Sequence, residues 1–231
     1  EAMFKLAFML KDGDGIPKDK EKAFIYLKIL SEQGNKDAML EYSTMLIEKD
    51  QNQEEAFKYL KISADLGNIK SMLLYARLLY MFITIAKEKF YQDFNKTQID
   101  LFFENIYKPS KITKEISKYY KMASDLGNEE ALYEYGCLLY FGLQIPKNKN
   151  EAIKCFKKSA DKGYPEAAFV YGLMLLIGDN TSTDMKEAIR YIQFAIKKDN
   201  SYYLLIIYMD FYYKFFDKFF NIFILMNDLD I

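Results

Sequence analysis

The chain has 231 residues, 51% of them hydrophobic and 17% aromatic, which is enough apolar material for a substantial core and excludes a globally disordered chain. Its 32 basic and 33 acidic residues nearly cancel, so no net positive field exists to attract nucleic acid. Histidine is absent, which excludes Ser-His-Asp and Cys-His catalysis within these residues. Few prolines and glycines favour helices. Because the chain begins at Glu1 rather than Met, we expect it to be part of a longer protein.

One short phrase recurs along the chain, as SEQGN, ADLGN, SDLGN and ADKGY. Its glycines are spaced by 33, 60 and 36 residues and are Gly34, Gly67, Gly127 and Gly163. The small residue after each glycine has the same spacings. With one earlier member, these residues are Ala2, Ala38, Ser71, Ala131 and Ala167. A fixed period of this length indicates stacked helix–loop–helix repeats.

The first predicted repeat covers residues 1–36 and the second covers residues 37–69. The loop of the first, DGDGIPKDKE at 12–21, is similar in composition to a calcium loop. Counted from Asp12, however, its fifth, sixth and twelfth positions are Ile16, Pro17 and Ala23, so the required ligands and glycine are missing. The second repeat lacks this loop, which predicts a tighter turn between its helices.

The third predicted repeat, residues 70–129, is longer than the others because residues 81–111 are inserted. Within the insertion, a helical spacing joins Ile99, Phe102, Phe103 and Ile106. Two interpretations stay open: an enlarged loop that packs its own short helix beside the repeats, which we favour, or an excursion that binds a partner.

The fourth predicted repeat, residues 130–165, has the clearest pattern. Its first helix, at about 130–141, has an apolar face formed by Ala131, Tyr135, Leu138 and Leu139. Gly142 is expected to end that helix in a left-handed conformation. The second helix, capped by Asn148 or Asn150, is expected to bury Ala152, Ile153, Phe156 and Ala160.

After the fifth predicted repeat, residues 166–201, comes an aromatic segment at 202–231. Its charged residues oppose a membrane span. Most of its polar residues fall on one helical stripe, namely Asp210, Lys214, Asp217, Asn221 and Asp228. We favour a helix that caps the last repeat. An oligomer interface and membrane binding through 202–226 stay open as alternatives.

Small residues recur at one position of each first helix, which predicts close approach of neighbouring helices there. They are Ala7, Ser43, Ala76, Gly136 and Gly172. The second helices have a corresponding small position, filled by Ala23, Ala56, Ala152 and Ala188, with Ile116 in the third repeat.

The pattern Ala, Tyr-Gly, Gly-x-x-Ile-Pro, Ala-x-x-x-Phe, Ala-x-x-Gly resembles the Sel1-like repeat, a 36-residue relative of the tetratricopeptide repeat. It is clearest in YGCLLYFGLQIPKNKNEAIKCFKKSADKGY, and the first repeat has Ala7 in place of Gly. The resemblance covers about residues 1–80 and 112–200. It implies an all-α fold, a right-handed α/α superhelical solenoid of about five repeats, which 202–231 is expected to follow as the C-terminal capping helix.

The resemblance also implies a binding groove lined by the first helix of each repeat. The predicted partner-binding residues are Leu40, Thr44, Arg77, Tyr133, Cys137 and Phe169. Arg and Tyr are enriched at binding hot spots, which favours Arg77 and Tyr133. Cys137 and Cys155 lie in the same repeat, either as two reduced thiols, which we favour, or as one disulfide.

No catalytic residue, cofactor or metal site is predicted. The predicted function is a non-catalytic scaffold or adaptor that docks a peptide or partner domain in the groove. Its partners are expected to be proteins rather than nucleic acid, and the cytoplasm is the favoured location. Two alternatives suggested by the resemblance stay open: a regulatory or targeting arm of a larger enzyme such as a protein kinase, and a membrane-associated quality-control adaptor.

Overall fold

The computed structural model describes residues 1–49, 52–93, 109–143, 145–179 and 181–198. Within these ranges the chain forms ten α-helices and no strand. In chain order they are α1 (Ala2–Asp12), α2 (Lys20–Glu32), α3 (Lys36–Glu48), α4 (Gln53–Asp65), α5 (Ile69–Asp93), α6 (Pro109–Asp125), α7 (Glu129–Phe141), α8 (Lys149–Asp161), α9 (Pro165–Ile177) and α10 (Met185–Lys198). The fold is an all-α helical repeat solenoid, as predicted.

The chain divides into two compact bodies. The N-terminal body, Glu1–Leu126, contains three helix hairpins: α1–α2, α3–α4 and α5–α6. The C-terminal body, Gly127–Ile231, contains two described hairpins, α7–α8 and α9–α10. We number these hairpins as repeats 1 to 5. The boundaries of the sequence repeats and the right-handed superhelix stay predictions.

In repeats 1 and 4 a backbone hydrogen bond joins the start of the second helix to the end of the first. In repeat 4 the backbone N–H of Asn148 donates to the carbonyl of Leu139 at 2.9 Å, and in repeat 1 that of Asp19 donates to Leu10 at 2.9 Å. Gly142 ends α7 in the left-handed conformation predicted for it, with φ of 70°. Asn148, rather than Asn150, caps α8 by accepting from the N–H of Glu151 at 3.1 Å.

The recurring phrase of the sequence forms the junction between hairpins. Gly67, with φ of 85°, turns the chain after α4, and the N–H of Asn68 closes the turn on the carbonyl of Ser63 at 3.1 Å. The Asn68 side chain then caps α5 by accepting from the N–H of Ser71 at 2.9 Å. One phrase therefore ends one helix and begins the next.

The small positions lie where the two helices of a repeat meet, as predicted. Ala7, Ala23, Ala56 and Ala152 have no exposed surface. At Gly136 of α7, an added Cβ would lie 2.8 Å from the Phe156 ring of α8 and 3.3 Å from Cβ of Cys155. Any larger side chain at this position would therefore separate α7 from α8.

The third repeat departs from the others because α5 runs for 25 residues, through Asp93. The first part of the predicted insertion, 81–93, therefore continues this helix. Unlike α1, α7 and α9, which end at Gly13, Gly142 and Gly178, α5 contains no glycine or proline to stop it. The predicted short helix at 99–106 and the aromatic segment at 202–231 lie outside the described residues.

Candidate functional site

Three of the predicted partner-binding residues belong to the N-terminal body. Leu40 and Thr44 lie one turn apart on α3, where the Thr44 hydroxyl donates to the carbonyl of Leu40 at 2.9 Å. Leu40 is buried and Thr44 is half-buried. Arg77 follows the buried small residue Ala76 on α5 and is exposed. Of these three residues, Arg77 is the one that is exposed.

The other three belong to the C-terminal body. Tyr133 and Cys137 lie one turn apart on α7, both half-buried, and their side chains are hydrogen-bonded. The Tyr133 ring packs against the rings of Tyr164, at 5.5 Å between centroids, and Phe156, at 5.9 Å. Phe169 of α9 is buried in the same apolar cluster. Tyr133 and Cys137 are two of the half-buried residues at the edge of this cluster.

Burial determines the charge of this edge. It raises the pKa of the Cys137 thiol well above its ordinary value, although the hydrogen bond from Tyr133 acts in the opposite direction. Burial likewise raises the pKa of the Tyr133 hydroxyl. Both groups are therefore neutral at physiological pH, and Cys137 is a poor nucleophile. Cys137 and Cys155 are both free thiols.

Electrostatic pairs that the sequence analysis did not identify join successive repeats. In the C-terminal body, Lys157 of α8 pairs with Glu187 of α10, with 3.2 Å between Nζ and Oε1. Lys61 of α4 pairs with Glu115 of α6 in the same register. The signal is present in the sequence, because the lysine comes five residues after the small position of one repeat and the glutamate one residue before that of the next.

A second connection between repeats uses a tyrosine and an aspartate. The hydroxyl of Tyr119 on α6 donates to Asp65 on α4 at 2.9 Å, and Lys118 pairs with the same carboxylate at 2.9 Å. Tyr191 of α10 donates to Asp161 of α8 in the equivalent arrangement. These aspartate and tyrosine side chains connect neighbouring repeats. This structural role explains why they are present.

Across the part of the chain that the structure describes, no group of three or more His, Cys, Asp or Glu side chains is arranged to hold a metal ion. A search of the same residues finds no helix with the length and apolarity that crossing a membrane requires.

Two family models match the sequence. The model for the Sel1 repeat matches residues 1–35 and 38–68, which contain repeats 1 and 2. The model for plant tetratrico peptide repeats matches residues 103–205. Repeats 1 and 2 therefore belong to the Sel1 repeat family. No curated protein matches its sequence.

Solved structures of Sel1-like repeat proteins share this fold. One is a protective antigen of uropathogenic Escherichia coli strains displaying an SLR fold, with a TM-score of 0.67 and 19% identity over 89% of this chain. Another is a Sel1 repeat protein from Oxalobacter formigenes, with a TM-score of 0.67 and 20% identity over 87% of this chain. The chain spans 40% of the length of the first and 74% of the second.

Sel1-like repeat proteins generally serve as scaffolds for interactions between proteins, and they are typically non-catalytic. The helices of such an array bury one side against neighbouring helices and leave another side for partners.

Proposed function

We propose that this Sel1-like repeat protein is a non-catalytic adaptor that docks a peptide or partner domain along the first helices of its repeats. The observation that carries the proposal is the exposure of Arg77 on α5, directly after a buried small residue. An exposed arginine on a helix that is held by packing places a positive charge at the surface, where it can attract an acidic partner.

In the N-terminal body, the side chains proposed to contact the partner are mainly polar. Arg77 supplies positive charge, and Thr44 on α3 supplies a hydroxyl acceptor whose proton is already donated within the helix. Leu40 is 9% exposed, so we assign it the role of supporting α3 rather than of a large contact. This chemistry suits a partner segment that carries a carboxylate.

In the C-terminal body, the side chains proposed to contact a partner are uncharged. Tyr133 and Cys137 form a half-buried, uncharged edge, and Phe169, 7% exposed, supports it from within the core. An aromatic residue whose body is packed and whose edge is accessible suits apolar contact at little entropic cost. We propose that this edge receives an apolar or aromatic side chain of the partner.

The test is capture of partners from the native cells by the wild type and by an Arg77→Glu variant, followed by cross-linking that locates the contact. We expect Arg77→Glu to reduce capture by about tenfold or more, because it reverses a charge at the contact. Lys58→Glu is the matched control, since Lys58 is exposed on α4, a second helix of a repeat.

Equal loss of the partner in both variants, or cross-links confined to the second helices, would contradict the proposed surface. Tyr133→Phe keeps the packed ring and removes only the hydroxyl. It therefore tests the contact proposed for the C-terminal body without creating a cavity in the core. The enzyme-arm and membrane-adaptor alternatives stay predictions, and the segment 202–226 on which the latter depends lies outside the described residues.

A further inference from the structure

The second helix of each repeat has a column of outward positions spaced by four residues. In repeat 4 this column consists of Asn150, Lys154, Lys158 and Lys162. In repeat 5 it consists of Lys186, Arg190, Phe194 and Lys198. Phe194 is half-buried and the others are exposed. Every exposed position of the column except Asn150 therefore presents a cation, and none presents an acid.

In repeats 2 and 3 the second half of the same column is apolar. Repeat 2 has Glu54, Lys58, Ile62 and Leu66, and repeat 3 has Lys114, Lys118, Met122 and Leu126. Repeat 2 packs against repeat 1 on one side and repeat 3 on the other, and it still leaves Lys58 and Leu66 exposed. The column is therefore accessible because of its place on the second helix, whatever precedes or follows a repeat.

The helices of the C-terminal body differ in charge according to their place in the repeat. The first helices are acidic, because α7 carries Glu129, Glu130 and Glu134 and α9 carries Glu166. Neither of these two helices contains a lysine or an arginine. The cations of α8 and α10 therefore belong to a part of the body that is distinct from its acidic first helices.

The basic columns of repeats 4 and 5 are neighbours. The contacts of Lys157 with Glu187 and of Asp161 with Tyr191 join α8 to α10. From one contact to the next both helices advance by four residues, so they run in the same direction. A column of eight residues spans about 12 Å along its helix. Together the two columns form a basic strip about two helical turns long, made of Lys154, Lys158, Lys162, Lys186, Arg190 and Lys198.

The ion pairs that the basic strip forms within the chain are weak. Lys154 pairs with Glu151 at 3.5 Å, and Arg190 pairs with Glu187 at 3.8 Å. Both pairs are long and lie on exposed side chains, so they contribute little and can be exchanged for another carboxylate. The ion pairs between described residues include none that involves the other lysines of the strip. The strip therefore keeps most of its positive charge available.

The packing of the repeats does not require these cations. Lys154, Lys158 and Lys162 lie four residues apart, and like charges at this spacing repel one another on a helix. Repeat 2 has Ile62 and Leu66 at two of the equivalent positions, so a second helix packs there without a cation. Residues that oppose local stability without a role in packing are typical of functional sites.

We propose that the basic strip docks an acidic segment of another protein, which presents carboxylates along one side over about two helical turns. An extended polyanion, such as a nucleic-acid duplex or an anionic membrane, would also approach the exposed acids Asp161 and Asp184, which adjoin the strip in sequence. A short segment places its carboxylates on the cations alone. The strip is separate from the proposed groove, since it belongs to second helices and the groove to first helices.

Two synthetic helical peptides test the proposal with the intact chain. Both are built on alanine, and every fourth residue is a glutamate in one peptide and a glutamine in the other. We expect the glutamate peptide to bind saturably in fluorescence anisotropy and the glutamine peptide to bind about tenfold more weakly or less. Raising the NaCl concentration from about 50 to about 200 mM should weaken the glutamate peptide severalfold, because salt screens exposed charges.

Lys158→Gln combined with Lys162→Gln should weaken the glutamate peptide by about tenfold, because two adjacent cations of the strip are lost. The matched control combines Lys36→Gln with Lys70→Gln, which removes the same charge from exposed positions on α3 and α5 and should preserve binding. Arg77→Glu should bind the glutamate peptide like the wild type, so failure of the groove proposal and failure of this one are distinguishable. Circular dichroism verifies that each variant is folded.

Three results would overturn the proposal. One is equal binding of the two peptides. Another is equal binding of the glutamate peptide to the strip variant and to its matched control, because the strip would then have no special role. The third is absence of saturable binding by the glutamate peptide. Phosphatidylserine vesicles or duplex DNA that the wild type binds and the strip variant does not would then identify a membrane or a nucleic acid as the occupant.

Discussion

Gly136 and Gly172 show at the level of single atoms why this chain repeats a small residue. An added Cβ at Gly136 would meet the Phe156 ring at 2.8 Å, and one at Gly172 would meet the Ile192 side chain at 2.8 Å and the carbonyl oxygen of Ala188 at 3.0 Å. A glycine inside a helix costs about 1 kcal/mol relative to alanine, so these positions accept that cost to bring two helices together.

Gly136→Ala and Gly172→Ala are expected to destabilise the chain by about 1–3 kcal/mol, because overpacking outweighs the gain in helix propensity. Gly172→Ala should cost more, since its contact includes a backbone oxygen that cannot rotate away. Urea denaturation measures both values. Ser43→Ala, at the same position of α3, adds no atom to the contact and is the control. Stabilisation by either glycine substitution would contradict the close approach.

The predicted contact residues separate at this scale according to burial. Arg77 is exposed, Thr44, Tyr133 and Cys137 are half-buried, and Leu40 and Phe169 are buried. The sequence placed all six on first helices, which is correct, but it could not rank their exposure. Exposure depends on which neighbouring side chains cover a position, and those neighbours come from other parts of the chain.

At the scale of helices, each junction between repeats has to end one helix and begin another within a few residues. Asn35 does so through its side chain, which accepts from the N–H groups of Asp37 and Ala38 at 3.0 and 2.9 Å. Asn68 adds a second contact, since its amide also donates to the Asp37 carboxylate at 2.7 Å. At the last junction Tyr164 stands at the capping position without a side-chain cap, and Pro165 occupies the first helical position.

Asn68→Ala is expected to destabilise the chain by about 2–3 kcal/mol, because it removes a helix cap and a hydrogen bond to a charged group together. The matched substitution Asn35→Ala removes only a cap and should cost about 1 kcal/mol. Thermal or urea unfolding of the two variants measures the difference. Equal costs would show that the contact from Asn68 to Asp37 contributes no net stability.

Helix ends could be read from the sequence wherever glycine stops a helix. Gly142 ends α7 as predicted, whereas α5 continues to Asp93, through 13 residues that the repeat period assigns to an insertion. The insertion was recognised from the interrupted period, which marks where a repeat departs from the common length. The conformation of the inserted residues is not encoded in that period, so the continuation of α5 required the structure.

At the scale of the whole molecule, stability comes from the packing of successive repeats. It also comes from acidic side chains that pair with lysine and tyrosine side chains of the neighbouring repeat. In the C-terminal body, Asp179 after α9 accepts from Lys149 at 2.8 Å and from the Tyr140 hydroxyl, both of repeat 4. Burial alone would raise the pKa of Asp179, but these hydrogen bonds and the nearby positive charge lower it below its ordinary value of 3.8. The ionised carboxylate therefore favours the folded state.

The contribution of Asp179 is complete above pH 3.8 and is lost as the pH falls through its lower folded-state pKa. Asp179→Asn should thus cost about 1–3 kcal/mol at pH 7, and this difference from the wild type should shrink below pH 3.8. Urea denaturation between pH 7 and pH 2.5 measures it. Asp14→Asn is the control, because Asp14 is exposed at the equivalent position of repeat 1. A difference independent of pH would contradict this role.

The sequence by itself determined the order of the helices and those helix ends that a glycine, a proline or a capping asparagine marks, because local features encode them. Glycine at a left-handed position, asparagine at a cap and a small residue at a fixed interval act through the backbone within a few residues of themselves. A period that recurs over the chain is sufficient to recognise a Sel1-like array. Tertiary structure decided what lies far apart in sequence: the pairing of Lys157 with Glu187, the burial of Phe169 and the exposure of Arg77. Each of these depends on neighbouring side chains that come from other parts of the chain.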